Sequence, residues 1–474
     1  MDKTQNNLIY QIKDKPPFFA TIVFALQQLL AIIAATIAVP AIIGNGMSQA
    51  AALFGAGVGT LVYQLFTKFR SPVFLGSSFA FLPSMMAAFA GGVTAASGYV
   101  GLLIGAGLAG LVYVVLAIIV KLCGTGWIDK VMPAVVIGPI VSIIGLSLAG
   151  NAVGDALGGA ANSGSGYIMD EHAVACLICA LVTLFTVIIA SVFGKKMARL
   201  IPFIIGICAG YLVATLYTLI GNAGDIAAYK IIDFSLFSNM KWLPDFTFVT
   251  AFFKGGAFGW GDGATFWTYF GTIAVAYMPM AFVVFAEHLA DHKNISSIIG
   301  KDLLKDPGLD RTLLGDGVGS MVGAFFGGCP NTTYGESIGC VAITRNASVI
   351  TITTTAIIAI VASFFAPFIT LLSTIPGCVM GGVCFTLYGF IAVSGLKMIQ
   401  KVDLNDSGNL FTVATILVAG VGGMKLLFGK ITITGVACAL ILGMLCNALA
   451  GLKRDRKENA EKEPAKAEPA KEDK

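Results

Sequence analysis

Apolar runs long enough to cross a bilayer recur along most of this chain. Residues 19–43, 97–120, 173–193, 347–372 and 432–452 are the clearest. A helix of roughly 20 such residues spans a hydrocarbon core of about 30 Å. Backbone N–H and C=O groups in lipid find no water, so each run must pair them internally, as a helix does. The composition agrees: 57% of residues are hydrophobic and 12% charged, with mean hydropathy +0.86, whereas soluble domains carry about 25% charged residues. The fold class is therefore an all-α membrane protein with many spans. Residues 1–18 hold no apolar stretch ahead of a cleavage site and do not read as a signal peptide.

The net charge of +4 says little about partners, because the charges are unevenly placed. The tail 453–474, "KRDRKENAEKEPAKAEPAKEDK", lacks large apolar side chains and reads as a disordered, solvated terminus. The ten cysteines sit mainly in apolar runs. Cys176 and Cys179 form a CxxC, but inside "ACLICALVTLF" and with no second ligand pair nearby, so packing is the favoured reading over metal or redox use.

Fourteen spans fit the chain, centred near 31, 58, 82, 109, 141, 183, 210, 278, 320, 338, 360, 386, 418 and 442. With fourteen threaded, Lys13, Lys15, Lys68, Arg70, Lys121, Lys130, Lys195, Lys196, Arg199, Lys397 and Lys401 all fall on one side. The opposite loop, 151–172, has Asp155, Asp170 and Glu171 and no Lys or Arg. Positive loops stay in the cytoplasm, which places both termini there. The third and tenth spans are poor helices. "FLGSSFAFLPSMMAAFAGG" mixes glycines, serines and a proline, and "NTTYGESIGCVAITR" is short and polar at its start. They lie seven spans apart. The fifth and twelfth, "PAVVIGP" (133–139) and "PGCVMGG" (376–382), share P-x-x-V-x-G at the same offset. A seven-span repeat has an odd number of crossings, so its two copies are inverted.

Interrupted spans at matching places in two repeats point to a central binding site. Residues 74–81 and 331–336 read as extended segments, each leading into a half-helix whose free N–H groups and positive dipole end face a polar ligand. The competing reading of either span alone is a kink or a re-entrant plug. Buried carboxylates sharpen the case, because a charge at mid-membrane costs about 2.5–3.5 kcal/mol even on insertion scales. Glu336 sits in the tenth span, nine residues from Arg345 and too far for a local ion pair; Glu287 ends an uncharged stretch in the eighth, and Asp291 follows at i+4. For Asp291 a position in cytoplasmic water competes evenly. Two carboxylates accept N–H donors and half-helix N–H groups donate to carbonyls, which suits a heterocycle such as uracil without selecting it.

The stretch "PNTTYGESIGCVAITR" resembles the signature of the nucleobase–ascorbate transporter (nucleobase:cation symporter-2) family, and its bacterial uracil permeases in particular. "GSSFAF" (76–81), "CGTGWID" (123–129), "AEH" (286–288) and "KDLLKDPGLDR" (301–311) resemble that subgroup too, so the likeness runs over nearly the whole chain. It implies two inverted seven-span repeats, with short antiparallel strands in broken spans 3 and 10. Core parts at 1–125 and 256–372 would move against gate parts at 126–255 and 373–452, often in a homodimer. It implies import of uracil across the cytoplasmic membrane by proton symport. Glu287 and Glu336 would contact the pyrimidine edge, Phe79 and Gly335 offer backbone N–H groups, and Ala35 and Tyr334 line the pocket. Protons would bind at Glu287, Asp291 and Glu336, with the Glu287–Asp291 pair, about 5–6 Å apart at Cβ, sharing one proton and titrating as a unit. The chain departs from the pattern at Asp291, where histidine is usual, and at Ser337, where asparagine is usual.

A purine carrier of the xanthine type, or a sodium-coupled one, is the alternative within the family; "YGES" favours uracil. A channel or anion exchanger of the same fold is disfavoured by two acidic groups at the site. No HExxH is present and the cysteines form no ligand set, so no enzyme, metal or cofactor is expected, and no nucleic acid partner.

Overall fold

The computed structural model describes residues 8–128, 133–195, 197–261, 263–428 and 431–462. Asp129 of "CGTGWID", and Lys130 and Lys196 of the orientation argument, lie outside the described residues. The principal helices are α1 (Phe18–Ile43), α2 (Gln49–Phe66), α3 (Leu82–Ala88), α4 (Ala95–Cys123), α5 (Ala134–Ser147), α6 (Ala149–Ala156), α7 (Glu171–Val192), α8 (Pro202–Ala223), α9 (Phe266–Ile299), α10 (Leu309–Gly327), α11 (Gly335–Thr344), α12 (Val349–Ser363), α13 (Ala366–Ser373), α14 (Gly377–Ile399), α15 (Ser407–Val421) and α16 (Gly435–Lys462). Among the described residues, eight helices are long and apolar enough to cross a membrane, or nine if the pair α12 and α13, bent by 82°, is one span. Each of the fourteen expected centres falls within a helix, but Phe79–Ala88, α11, α15 and Gly435–Gly451 are short, and α10, though 19 residues long, is not apolar enough to count as a span. The tail departs from the sequence reading. Helix α16 runs on to Lys462, so residues 453–462 are helical; 463–474 lie outside the described residues.

The helices pack as two groups. In the first, α2 and α4 pack on α10, α9 packs on α4, and α1 packs on α12 and α11. In the second, α14 packs on α5, α6 and α7, α7 packs on α8, and α15 packs on α5 and α16. Contact between the groups comes mainly from α9 against the strand Ile431–Ile433, α5 and α16, and from α1 against α8 and α14. Small residues permit the closest approach. A Cβ at Gly59 of α2 would fall 2.7 Å from the Gly319 carbonyl oxygen of α10, so the two backbones approach closely there. Such small-residue seams are how helices associate in lipid, where apolar burial supplies no drive of its own.

Two three-residue strands meet between the helices of the first group. Strand β1 (Leu75–Ser77) pairs antiparallel with β2 (Asn331–Thr333), in the register Leu75↔Thr333, Gly76↔Thr332 and Ser77↔Asn331. This is the expected pairing of the broken spans, and it answers how irregular backbone survives at depth: each segment satisfies the other. The ladder extends through Ser78 N–H to the Pro330 carbonyl at 2.9 Å and Tyr334 N–H to the Phe74 carbonyl at 3.2 Å. Thr60 of α2 accepts from Leu75 N–H at 2.9 Å, and the Asn331 amide donates to the Gly55 carbonyl at 3.1 Å in the glycine-lined notch between α2 and α10.

Candidate functional site

Each strand runs directly into a helix. β1 leads through a single turn at Phe79–Phe81 into α3, and β2 leads through Tyr334 into α11. Neither start carries a side-chain cap. The first N–H groups of a helix have no partner within it, and here they open onto one cavity. That cavity has a volume of about 460 Å³, within the range of small-molecule sites. Phe79, Ala80, Gly335 and Glu336 form its half-helix wall, and Val283, Ala286, Glu287, Ala290 and Asp291 of α9 face them. Ile137, Val141 and Ile144 of α5, Phe203 of α8, and Leu387, Phe390, Ile391, Ser394 and Met398 of α14 close the other side. The cavity therefore lies between the two helix groups, and no Lys or Arg is among its lining residues.

Six of the seven expected site residues come together here: Phe79, Glu287, Asp291, Tyr334, Gly335 and Glu336. Ala35 does not line the cavity. It is buried in α1, in an apolar cluster that includes Tyr334 and is flanked by Phe79, one layer behind the wall. Glu287 is exposed to the cavity, and among the described residues no group donates a hydrogen bond to its carboxyl. Glu336 is half-buried in the first turn of α11, beside the exposed Gly335. Asp291 is half-buried in the cavity wall and accepts a hydrogen bond from Thr333 Oγ1 at 2.7 Å. The site thus brings the carboxyls of Glu287 and Glu336 into one cavity with the backbone N–H groups of two half-helix starts, inside apolar walls.

Tyr334 is fixed by its neighbours. Its hydroxyl donates to the Ser77 carbonyl at 2.8 Å, and its ring lies directly over Gly76, where any Cβ would collide with it. The glycine in "LGSS" is thus required by close approach. Ser337 performs a similar service for α11. Its hydroxyl receives Gln28 Nε2 of α1 at 2.5 Å and Phe74 N–H at 3.2 Å, joining α1, β1 and α11 at one atom. A hydroxyl fits this crowded junction, which gives the departure at Ser337 a local reason.

The sequence reading missed a further carboxylate, the fully buried Asp316 of α10. Its Oδ2 lies 2.7 Å from His288 Nδ1, while His288 Nε2 lies 3.0 Å from Thr312 Oγ1. Both members of the pair are fully buried. The Thr312 hydroxyl already donates to the Leu309 carbonyl at 3.1 Å, so it accepts from His288 Nε2–H. One further proton must then lie between Nδ1 and Asp316. The ring of His288 also stacks on that of His292, with centroids 4.0 Å apart. His292 in turn donates from Nδ1 to the His288 carbonyl at 2.8 Å and meets the Tyr63 hydroxyl at 2.7 Å. The two histidines thus face away from the cavity and anchor α9 to α10 and α2. The signal for Asp316 was present: it is the lone ionisable residue within "TLLGDGVGSMVGAFFGG", the same argument that singled out Glu287. Thr332 was also missed. It lines the cavity with a buried hydroxyl that has no protein partner.

Lipid-length helices in two groups, with a cavity between them that holds buried carboxylates and the ends of two interrupted spans, define a multi-pass membrane transport protein. The transmembrane domain of a cyanobacterial bicarbonate transporter, BicA, shares this fold with a TM-score of 0.57 at 17% identity, covering 92% of this chain and 100% of that one. The murine Solute Carrier 26 family member A9 anion transporter in its inward-facing state matches with a TM-score of 0.62 at 13% identity, over 93% of this chain and 69% of that one. These likenesses bear on the fold alone. The chain belongs to the permease family whose model matches residues 19–428, the nucleobase:cation symporter-2 family that its motifs resemble, and this is not a family of enzymes. It is similar to the uracil permease of Bacillus caldolyticus, 39% identical over 94% of this chain and 95% of that protein. It is similar also to the uracil permease of Bacillus subtilis strain 168, 38% identical over 95% of this chain and 96% of that protein.

Proposed function

We propose that this protein is a uracil permease that imports its substrate by proton symport. The observation that carries the reading is one cavity lined by Glu287 of α9, by Glu336 in the first turn of α11, and by the half-helix starts at Phe79 and Gly335. Uracil offers two ring N–H groups and two carbonyls in alternation. The carboxylates accept the first, the backbone N–H groups donate to the second, and the apolar walls cover the ring faces. The cavity's lack of lysine and arginine disfavours an anionic cargo. The uracil permeases named above are similar over nearly the whole chain, which supports the same cargo here.

The site's position between the two helix groups supports alternating access. Phe79, Glu287, Tyr334 and Glu336 belong to one helix group, and Ile137, Phe203, Leu387 and Phe390 to the other. The first group corresponds to core parts 1–125 and 256–372, the second to gate parts 126–255 and 373–452, and relative motion of the two opens the cavity to either side. Fourteen spans in two inverted repeats account for three contacts between partners seven spans apart: β1 with β2, α2 with α10, and α5 with α14. The proton is carried by Glu287, Asp291 and Glu336, with Asp291 held toward the site by Thr333. The protein works in the cytoplasmic membrane as a homodimer with both termini inside. Competition for labelled uracil uptake by a panel of bases, with and without a protonophore, tests this reading. Uracil should compete best and the protonophore should stop uptake. Preferential competition by xanthine, or uptake that persists without a proton gradient but needs sodium, would replace it.

A further inference from the structure

We propose that Cys176 and Cys378 form an oxidisable thiol pair, able to close a disulfide between α7 and α14, with His172 as the base that takes the proton from Cys176. Packing is the expected role of the CxxC at 176–179; the fold brings a third thiol to it. His172, Cys176 and Cys179 stand at i, i+4 and i+7 and share one face of α7. Gly382 of α14 meets that face, and a Cβ there would lie 2.9 Å from Thr183 Cβ and 3.1 Å from the Ala180 carbonyl carbon. One turn earlier on both helices stand Cys378 and the pair Cys176 and Cys179, so the two helices run parallel in register. Cys378 is buried in the same apolar cluster as Cys176 and Cys179, and all three are free thiols.

His172 distinguishes the two candidates on α7. Its Nδ1 lies 2.8 Å from the Ala228 carbonyl, which only accepts, so the proton sits on Nδ1. Nε2 is left with its lone pair, 3.5 Å from Cys176 Sγ, and receives the S–H of that thiol. The loop backbone at Gly158, φ 62°, closes over this contact, and a Cβ there would fall 2.7 Å from Cys176 Sγ. Among the described residues no group of three such side chains is arranged to hold a metal ion. In the step proposed, His172 takes the Cys176 proton and the thiolate attacks one oxygen of hydrogen peroxide, forming a sulfenic acid. The departing hydroxide takes the proton back from His172 and leaves as water. The Cys378 sulfur then attacks the Cys176 sulfur, and its own proton leaves with the sulfenic hydroxyl as a second water. Two thiols lose two electrons and one peroxide becomes two waters.

The test is peptide mapping of the purified full-length protein after treatment with hydrogen peroxide. The expected product is a single Cys176–Cys378 cross-linked peptide, removed by dithiothreitol. Cys179→Ser should keep it and Cys378→Ser should abolish it. His172→Gln, monodisperse by size exclusion, should slow its formation by roughly a hundredfold, as loss of a general base does. The wild-type map suffices to overturn the proposal: no cross-link, or a link between Cys179 and Cys378, contradicts the assignment. An unchanged rate in His172→Gln removes the base from it.

Discussion

Replacing Thr333 by valine isolates one contact in the proposed proton site. The two side chains are nearly the same shape, and Thr333 is fully buried in β2, so the strand pairing Leu75↔Thr333 is kept. What is lost is the hydrogen bond from Thr333 Oγ1 to Asp291 Oδ2 at 2.7 Å. A hydrogen bond to a charged acceptor contributes about 1.5–3 kcal/mol. Asp291 is half-buried beside a cavity, so water recovers part of this and the lower end applies, about 1.5 kcal/mol. That is roughly tenfold in the population of Asp291 held toward Glu287. Uptake of labelled uracil should then show a Michaelis constant raised by about tenfold, and a pH profile displaced from that of the wild type. Asp291→Asn should show the same displacement, because it removes the ionisable partner itself. If Thr333→Val matched the wild type within about twofold at every pH, Asp291 would have no part in coupling, and the proton would have to be sought at Glu287 or Glu336 alone.

Two further outcomes follow from packing and topology. Gly59→Val should destabilise the α2–α10 seam by about 1–3 kcal/mol through overpacking, seen as a lower melting temperature of the detergent-purified protein; Gly107→Ala, with nothing within 4 Å of the added Cβ, should leave it unchanged or slightly raised. Single cysteines placed in 151–172 should react with an impermeant maleimide in intact cells, and cysteines in 453–474 should not; labelling of the tail from outside would reject the fourteen-span threading.

Much of the site was legible because its signals are local. Glu287 and Glu336 stand out as charges in apolar surroundings, and the helix-breaking run at 331–336 marks a backbone that must be satisfied elsewhere. The partner of that run, 74–81, was visible only through the seven-span offset, and the strand register joining them is a long-range fact. What was not legible is pairing across the fold. Nothing near His288 in sequence announces Asp316, 28 residues on, as its partner. Nothing near Cys176 announces Cys378. Ala35 was placed in the pocket by resemblance alone, and is buried in an apolar cluster with Tyr334 and Phe79 without lining the cavity. The helical continuation at 453–462 is a local matter: lysine, arginine, glutamate and alanine are good helix formers, and α16 propagates into them.

The central claim is that two carboxylates hold a neutral heterocycle between the helix groups. Isothermal titration of uracil into the purified wild type, Glu287→Gln and Glu336→Gln tests it most directly. An amide keeps the shape and loses the charge and one acceptor, a difference of about 1.5–3 kcal/mol per charged hydrogen bond, or roughly 10- to 150-fold in affinity. The account predicts binding by the wild type and a loss of that size in each variant. Binding by Glu336→Gln within about twofold of the wild type would contradict it.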